Sequence, residues 1–267
     1  MTVLELPGHD VLGIRAANQG PFTLTGTNSW IVGRDPAWLI DPGPRLDEHV
    51  RALLDELEAR GGVGGIALTH DHHDHTEALP AIRERFPQAP VAGVRGAVDV
   101  PLEDGDRFGP FETFRTPGHA PDHVSFLVGE LGFAGDAVLG AGSVFIAPDP
   151  GALAAYLSAL QRLRARALAI LCPGHGPIVR DVEAKLDEYI QHRLDRERRL
   201  LAALDRGLRT PDELLAEVWD DVPPFLRPAA GVTLAAHLGK LEDEGRLPSG
   251  VQWPAPIPGL SYGIERS

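Results

Sequence analysis

Four potential metal ligands lie within six residues of this chain, in the run His-Asp-His-His-Asp-His at positions 70–75. A strand is predicted just before this run, over residues 66–69, and a helix after it, from Thr76 to Arg85. Successive side chains on a strand point to opposite sides. The side chains of His70 and His72 are therefore expected on the same side. The turn that follows can bring Asp74 and His75 toward a neighbouring point. We interpret the run as a metal site that can serve two adjacent ions.

Three further candidate ligands each follow an apolar segment and a glycine. They are His119 in Thr-Pro-Gly-His, Asp136 in Gly-Asp and His175 in Pro-Gly-His-Gly. Glycine lets the backbone turn sharply and approach an ion closely. Taken alone, each pattern is as typical of an ordinary turn as of a metal ligand. Together with the run at 70–75, they predict that distant segments of the chain complete one metal site.

These motifs, in the order THDHHDH (69–75), TPGH (116–119), GD (135–136) and PGHG (173–176), resemble those of the metallo-β-lactamase superfamily. The resemblance spans about residues 20–180. It implies an α/β fold, the αββα metallo-β-lactamase sandwich, with the metal centre at one edge. It also implies which residues hold the metal: His70, His72 and His119 for a first ion, Asp74, His75 and His175 for a second, and Asp136 as a bridge between them.

The donor set suits zinc, because imidazole nitrogens and carboxylate oxygens are common zinc ligands; manganese and iron are the alternatives. Two ions about 3.5–4 Å apart can share a water and make it available as a bridging hydroxide at neutral pH. One ion then polarises the scissile group while the other stabilises the departing atom. Asp74 is expected to act both as a ligand and as the residue that orients this nucleophile.

Two other polar residues lie close to the motifs. His123, four residues after His119, is a candidate catalytic residue that donates a proton to the leaving group, or a hydrogen-bond partner of a ligand. A structural histidine bonded to the backbone is the alternative. Asp41 follows an apolar segment and either bonds a ligand histidine or caps the turn at Pro42–Gly43. The sequence leaves both choices open.

Composition limits the classes of protein to consider. The 267 residues include 43% hydrophobic residues and carry a net charge of −13. This charge disfavours a polyanionic partner unless arginines cluster locally. The single cysteine, Cys172, excludes an intramolecular disulfide and, with no secretory signal evident, favours a cytoplasmic location. No apolar run is long enough to cross a bilayer, so no membrane partner is expected, and the sequence does not indicate the oligomeric state.

Beyond the metal motifs the pattern becomes helical. A long amphipathic helix is predicted over residues 182–206, and a second helix begins at Thr210, which Pro211 and Glu213 follow as typical first-turn residues. A third helix is predicted over about residues 229–244, before a tail rich in proline and glycine. The arginines of the first helix alternate with acidic residues and are expected to form a solvated face: Arg193, Arg196, Arg198 and Arg199.

The chain is therefore predicted to contain two domains. Residues 1–207 are expected to form the metal-binding catalytic domain, and residues 208–267 a small helical domain like a winged helix. Residues 173–193 and 238–245 are similar to the β-lactamase-like protein 2 subfamily, which is related to glyoxalase II. Gly176-Pro177 departs from the Glu-Tyr that glyoxalase II would have after its last ligand histidine. Members of the subfamily include a single-stranded RNA endonuclease, and relatives act as thioesterases.

Three functional hypotheses follow. The leading one is a dinuclear zinc hydrolase that uses a metal-bridging hydroxide on an ester, thioester or related acyl bond of a small molecule. The acidic balance of the chain favours it. The first alternative is a metal-dependent single-stranded RNA endoribonuclease, which the subfamily resemblance favours. The second alternative is a non-catalytic metal-binding interaction module, which the complete set of predicted ligands disfavours.

Overall fold

The computed structural model of the chain describes residues 2–255. These residues form two compact units. The first comprises the described parts of Met1–Thr116, Asp122–Gly142 and Ala167–Val182, and the second comprises those of Pro117–Pro121, Ser143–Arg166 and Glu183–Ser267. Among the helices of the described residues, none has the length and apolar character that a membrane span requires.

Short strands alternate with few helices in the first part of the chain, and long helices dominate the last part. The strands are β1 (Thr2–Glu5), β2 (Val11–Arg15), β3 (Asn28–Val32), β4 (Ala37–Ile40), β5 (Val63–Ala67), β6 (Val91–Gly93), β7 (Val100–Pro101), β8 (Arg107–Phe108), β9 (Phe111–Arg115), β10 (Val124–Val128), β11 (Leu131–Gly135) and β12 (Ile170–Pro173). The helices are α1 (Asp47–Ala59), α2 (His73–Thr76), α3 (Leu79–Arg85), α4 (Ala152–Arg164), α5 (Val182–Asp205), α6 (Pro211–Val218) and α7 (Arg227–Asp243), with a 3₁₀ turn at Pro224–Leu226.

The strands form two sheets in the first unit. One has seven strands in the order β1 to β7, and the other has five in the order β12-β11-β10-β9-β8. Strands β4 and β5 pair in parallel, with Ile40 opposite Ala67. Strands β11 and β12 also pair in parallel, with Gly135 opposite Pro173. Because parallel strands end at the same edge of a sheet, each pair delivers its following residues side by side.

The apolar core of the first unit lies on both faces of the seven-stranded sheet. One cluster combines Trp30 of this sheet with Phe111 and Phe133 of the other. The second cluster combines Ile31 with Leu53 and other residues of α1 and α3. Neighbouring residues of β3 serve different clusters because side chains alternate along a strand. The loops at the strand ends are thus built on a rigid support.

The helix predicted from Thr76 to Arg85 is in fact two helices. A single turn, α2, spans His73–Thr76, and α3 begins at Leu79. Pro80 lies in the first turn of α3, where its missing N–H costs nothing, so a new helix starts there. The prediction of one continuous helix is wrong, and Asp74 and His75 consequently lie on a helical turn of their own.

The second unit confirms the predicted helices. Helix α5 covers Val182–Asp205, and α7 covers Arg227–Asp243. Helix α6 begins with the predicted cap, since Thr210 and Glu213 bond each other's backbone N–H reciprocally. Helices α4 and α5 belong to the same compact unit as these helices. The predicted domain boundary at residue 207 stays a prediction. The residues Pro256, Pro258 and Gly259 of the predicted tail lie outside the described residues.

The predicted solvated arginine face of α5 is wrong for two of its four members. Arg193 and Arg196 are 2% and 4% exposed. Each donates a hydrogen bond from its guanidinium to a backbone carbonyl, Arg193 to Val144 and Arg196 to Val218. Burying a charged group costs free energy unless the group is hydrogen-bonded, and these two carbonyls are the acceptors that the guanidiniums need. Sequence alternation alone does not distinguish such arginines from solvated ones.

Candidate metal centre

Asp41 and Thr69 meet where β4 and β5 end. The Asp41 carboxylate accepts hydrogen bonds from the backbone N–H of Thr69 at 2.8 Å and from its hydroxyl at 2.7 Å. It also lies 2.8 Å from Nδ1 of His75. This last contact decides the choice that the sequence left open, because Asp41 bonds a candidate ligand histidine. The parallel register of the two strands is what makes the contact geometrically accessible.

Hydrogen-bond partners determine which nitrogen of each histidine carries a lone pair. A carboxylate only accepts, so His75 donates from Nδ1 to Asp41 and turns Nε2 toward the centre. The one hydroxyl proton of Thr69 goes to Asp41, so Nδ1 of His70, 2.9 Å from that hydroxyl, is the donor there. Nε2 of His70 therefore keeps a lone pair, 2.9 Å from Nδ1 of His72. Lone pairs of imidazole directed to one point are the arrangement that binds a metal.

Two histidines and two carboxylates converge beside this pair. Nε2 of His175 lies 3.2 Å from Oδ2 of Asp74 and 3.4 Å from Oδ2 of Asp136. Nε2 of His75 lies 3.5 Å from Oδ1 of Asp136 and forms no hydrogen bond of good geometry within the described residues. Four ligands at about 2.0–2.1 Å from a tetrahedral ion are about 3.3 Å apart. The spacing and chemistry of these atoms thus fit a divalent cation such as zinc.

The ligand atoms form two overlapping groups in the first unit. In each group the candidate atoms lie within 4.8 Å of one another. One group contains His70, His75 and Asp136, and the other contains Asp74, His75 and His175. The first group combines His70, which is predicted for the first ion, with His75 and Asp136, so predicted ligands of both ions lie within one small region.

The charges of the centre are mutually dependent. Burial raises the pKa of Asp136, but the neighbouring His175 and His75 outweigh burial and hold this pKa well below its usual range. Burial lowers the pKa of His175, but the Asp136 carboxylate outweighs it and the result is a pKa of about 9. The buried Asp136 carboxylate is therefore stable as an anion only with positive charge beside it. A bound divalent cation supplies that charge and leaves the histidines as neutral ligands.

Gly174 allows the turn after β12 to approach the centre. A Cβ atom at this position would lie 2.6 Å from Oδ1 of Asp136 and 2.7 Å from Cε1 of His75, closer than such atoms approach. The Gly174 carbonyl accepts a hydrogen bond from the backbone N–H of Asn28 at 2.7 Å. The Pro-Gly-His-Gly turn thus needs glycine here so that His175 can face Asp136.

His123 is fully buried between Thr116 and Asp136. Its Nε2 accepts a hydrogen bond from the backbone N–H of Asp136 at 2.9 Å. Its Nδ1 is then the protonated nitrogen and donates to the Thr116 hydroxyl, 2.8 Å away. Both ring nitrogens are engaged, and one of them positions a candidate ligand. This geometry favours the structural alternative, while proton transfer by His123 stays a prediction.

His119 lies on the segment Pro117–Pro121 of the second unit. Within that unit its Nδ1 is 3.3 Å from the carbonyl oxygen of Phe145, and the two rings pack with centroids 4.8 Å apart. Because a carbonyl oxygen only accepts, Nδ1 donates and Nε2 keeps its lone pair. The expected place of His119 on the first ion stays a prediction.

Two polar residues that support the ligands, Thr69 and Thr27, were not predicted from the sequence. The Thr69 hydroxyl connects Asp41 to His70, as described above. The Thr27 hydroxyl lies 3.4 Å from Oδ2 of Asp74. The only available signal was position, since Thr69 lies next to the ligand run and Thr27 directly precedes β3. Hydroxyl side chains are too common at such places to be assigned from one sequence.

Two family models match the chain. Residues 22–99 match the metallo-beta-lactamase superfamily, and residues 210–249 match the beta-lactamase associated winged helix domain. The second match confirms the predicted winged-helix character of the C-terminal helices.

Three curated relatives span most of this chain and most of their own length. The lactamase-like protein adaB of Aspergillus niger is 32% identical over 96% of this chain and 89% of the relative. The beta-lactamase-like protein 2 homolog of Caenorhabditis elegans is 31% identical over 88% of this chain and 85% of the relative. The atrochrysone carboxyl ACP thioesterase of Aspergillus chevalieri is 32% identical over 80% of this chain and 74% of the relative.

Solved structures agree with these relatives. The metallo-beta-lactamase family protein TTHA1429 from Thermus thermophilus superimposes with a TM-score of 0.67 at 25% identity, over 90% of this chain and 95% of that chain. TTHA1623 in a di-iron-bound form superimposes with a TM-score of 0.52 at 28% identity, over 65% of this chain and 97% of that chain. The predicted fold class is confirmed, and the fold implies divalent metal binding. The chain thus belongs to the metallo-β-lactamase superfamily and is a hydrolase of that fold with a C-terminal winged helix domain.

Proposed function

We propose that this chain is a dinuclear, zinc-dependent hydrolase that cleaves an ester, thioester or related acyl bond of a small molecule. The observation that carries the proposal is the convergence of carboxylate and imidazole atoms at distances of 3.2–3.5 Å in an enclosed site. Such spacing is typical of ligands around one cation. A cluster of this kind without a metal would leave charged groups buried against one another.

We assign the ligands in two sets with one shared member. His70, His72 and His119 would hold the first ion, Asp74, His75 and His175 the second, and Asp136 both. When bound, the cations would polarise the scissile carbonyl and lower the pKa of a water molecule toward neutrality. Zinc is the proposed metal on the basis of the donor set, with manganese or iron as alternatives.

The side chains around the ligands prepare the site for this chemistry. Asp41 keeps the proton of His75 on Nδ1, so that Nε2 is available as a ligand. His123 holds the backbone of Asp136 in place. The Asp74 side chain is 30% exposed, whereas that of Asp136 is 9% exposed. We therefore assign Asp74 to orient the attacking water, because it is the carboxylate that solvent and substrate can reach.

Charge distribution supports an acyl substrate over RNA. Within the second unit, the buried Arg193 and Arg196 bond backbone carbonyls, as described above. The exposed members of the same helix face carboxylates: Arg198 bonds Asp195, and Arg199 bonds Asp220 at 2.6 Å. RNA binding draws its affinity from cations that neutralise phosphates, and these arginines are already engaged. The name of the A. chevalieri relative, an acyl-carrier thioesterase, also supports the acyl hypothesis.

The test is an assay of metal-loaded protein against acyl thioesters, single-stranded RNA and a lactam, with His70→Ala in parallel. We expect metal-dependent thioester hydrolysis that is lost in the variant. Cleavage of RNA alone would support the endoribonuclease instead. Activity that survives in His70→Ala would contradict the proposed site.

The bridging role of Asp136 has its own test. We expect Asp136→Ala to lose bound metal and activity together, which elemental analysis and the same assay would measure. Unchanged metal content in this variant would contradict the bridging assignment.

A further inference from the structure

We propose that two helices of the second unit, α5 and α7, position the ligand histidine His119 through residues 144–147. Arg193 of α5 and Thr233 of α7 are the positioning residues. The inference rests on the proposed function, because it takes His119 as a metal ligand. Every contact on which it depends lies within the second unit.

The first set of contacts joins residues 144–147 to the segment that carries His119. The carbonyl oxygen of Phe145 lies 3.3 Å from Nδ1 of His119, and the phenyl ring packs against the imidazole. Two residues further on, the backbone N–H of Ala147 donates to the carbonyl of Gly118 at 2.9 Å. These contacts set both the protonated nitrogen and the orientation of the imidazole ring. A metal-binding histidine is commonly held in this way by an acceptor on its other nitrogen.

The second set of contacts joins residues 144–147 to the helices. The Arg193 guanidinium donates to the carbonyl of Val144, which belongs to the peptide that links Val144 to Phe145. The hydroxyl of Thr233 lies 3.5 Å from the backbone N–H of Ile146. That hydroxyl is also 3.4 Å from the carbonyl of Ala229 on its own helix, so it can donate there and accept from Ile146. Bonds before and after Phe145 thus fix the backbone that presents its carbonyl to His119.

Because Arg193 is buried, its guanidinium depends on the few partners around it. The side chain is 2% exposed, and its guanidinium lies 5.8 Å from the centroid of the Tyr156 ring. An apolar residue of similar size would fill the space without the cost of removing a charge from water. The guanidinium bonds the carbonyl of Val144, and Val144 is next to Phe145, which bonds His119. Arg193 can therefore act on the position of His119 through these two residues.

The loss of this support is expected to affect one ion more than the other. Without the bond from Arg193, the peptide between Val144 and Phe145 can rotate. The backbone of Phe145, whose own carbonyl is the acceptor for Nδ1 of His119, is then fixed only on its Ile146 side. Removing such an outer partner typically weakens metal binding about 10- to 100-fold. The ligands of the second ion belong to the first unit and keep their own partners.

The experiment is a titration of the full-length metal-free protein with Co²⁺, followed by visible absorption, which reports the geometry of each bound ion. We expect Arg193→Met to bind one ion about 10- to 100-fold more weakly, with an altered spectrum for that ion alone. Arg193→Lys restores a donor and should recover part of the affinity. Thr233→Val, which keeps the shape of the side chain, should weaken the same ion about fivefold.

Arg196→Met is the matched control. Arg196 is also a buried arginine of α5, but it bonds the carbonyl of Val218 and the carboxylate of Asp221. A general loss of packing would affect both arginine variants equally, whereas we expect Arg196→Met to bind both ions like the wild type. If Arg193→Met does not fold, Thr233→Val decides the question.

The outcomes separate this inference from the proposed function. Wild-type affinity for both ions in Arg193→Met, or in Thr233→Val if the former does not fold, overturns the positioning role alone. If the wild-type protein does not bind two ions, or if His119→Ala binds both as the wild type does, the proposed function fails. Equal weakening by Arg193→Met and Arg196→Met also overturns the inference, since it indicates a packing effect.

Discussion

The Asp41 carboxylate accepts a hydrogen bond from Nδ1 of His75 at 2.8 Å, and both side chains are withdrawn from solvent. The same carboxylate accepts two hydrogen bonds from Thr69, which precedes the ligand run. One side chain, 29 residues before the run begins, therefore sets the protonation of one ligand and the backbone next to another. Replacing Asp41 by a weaker hydrogen-bond acceptor is therefore expected to weaken metal binding.

Asp41→Asn is expected to weaken metal binding about 10- to 100-fold. The aspartate accepts three hydrogen bonds, whereas an asparagine has one accepting oxygen and must turn its NH₂ group toward another donor. The Nδ1–H of His75 or the groups of Thr69 then lose an acceptor. Competition with a chromophoric chelator measures the affinity. Asp47→Asn, at an exposed first-turn position of α1, is the control and should bind metal like the wild type.

Gly174→Ala is expected to disrupt the centre through one methyl group. The added Cβ would meet Oδ1 of Asp136 at 2.6 Å and the ring of His75 at 2.7 Å, so these ligands must move. We expect weaker metal binding and a loss of about 1–3 kcal/mol in the free energy of unfolding. Isothermal titration and denaturant unfolding measure the two effects.

The control for this change is Gly239→Ala in α7. A Cβ at Gly239 meets nothing within 4 Å, and alanine is the better helix former. This variant should gain up to about 1 kcal/mol in stability with unchanged metal binding. Equal metal affinity in Gly174→Ala and the wild type would show that the turn is less closely packed than described.

Stability should fall in mild acid because of His49. Burial lowers the pKa of this histidine to about 4, although a hydrogen bond to the carbonyl of Pro42 opposes the shift. The folded chain keeps His49 neutral between pH 6.5 and 4, while the unfolded chain protonates it. The unfolded state therefore binds more protons in this range, and folding is weakened as the pH falls, by about 3 kcal/mol at about pH 4.

Urea unfolding of metal-free protein from about pH 7.5 to about pH 4 checks this expectation. His49→Gln should show a flatter dependence of the free energy of unfolding on pH than the wild type. Parallel curves for the wild type and His49→Gln would contradict the assignment.

Cys172 is expected to be unreactive in the folded protein. The residue is fully buried in β12, and burial raises the pKa of its thiol, so little reactive thiolate forms at neutral pH. Ellman's reagent should label less than about a tenth of the protein within an hour and all of it in denaturant. Rapid labelling of the native protein would show that β12 opens easily.

Much of the site follows from local sequence. Strand β5 ends at Ala67, before the ligand run, so His70 and His72 come together through their closeness in the chain and not through strand alternation. Glycine turns deliver Asp136 and His175 at strand ends. Because these features depend on residues that are close together in the chain, they can be recognised from a single sequence. The capped start of α6 at Thr210 is local for the same reason.

The supporting interactions depend on the tertiary structure. The bond between Asp41 and His75 exists because β4 and β5 pair in parallel at one register. The bond that the backbone N–H of Asp136 donates to His123 joins the residue after β11 to the residue before β10, its antiparallel neighbour. The burial of Arg193 depends on a carbonyl 49 residues away. Sequence determined which atoms can bind a metal, because ligand type and spacing are local properties. Only the packed fold decided which nitrogen of each histidine faces the centre and what holds it there, since those partners come from distant segments.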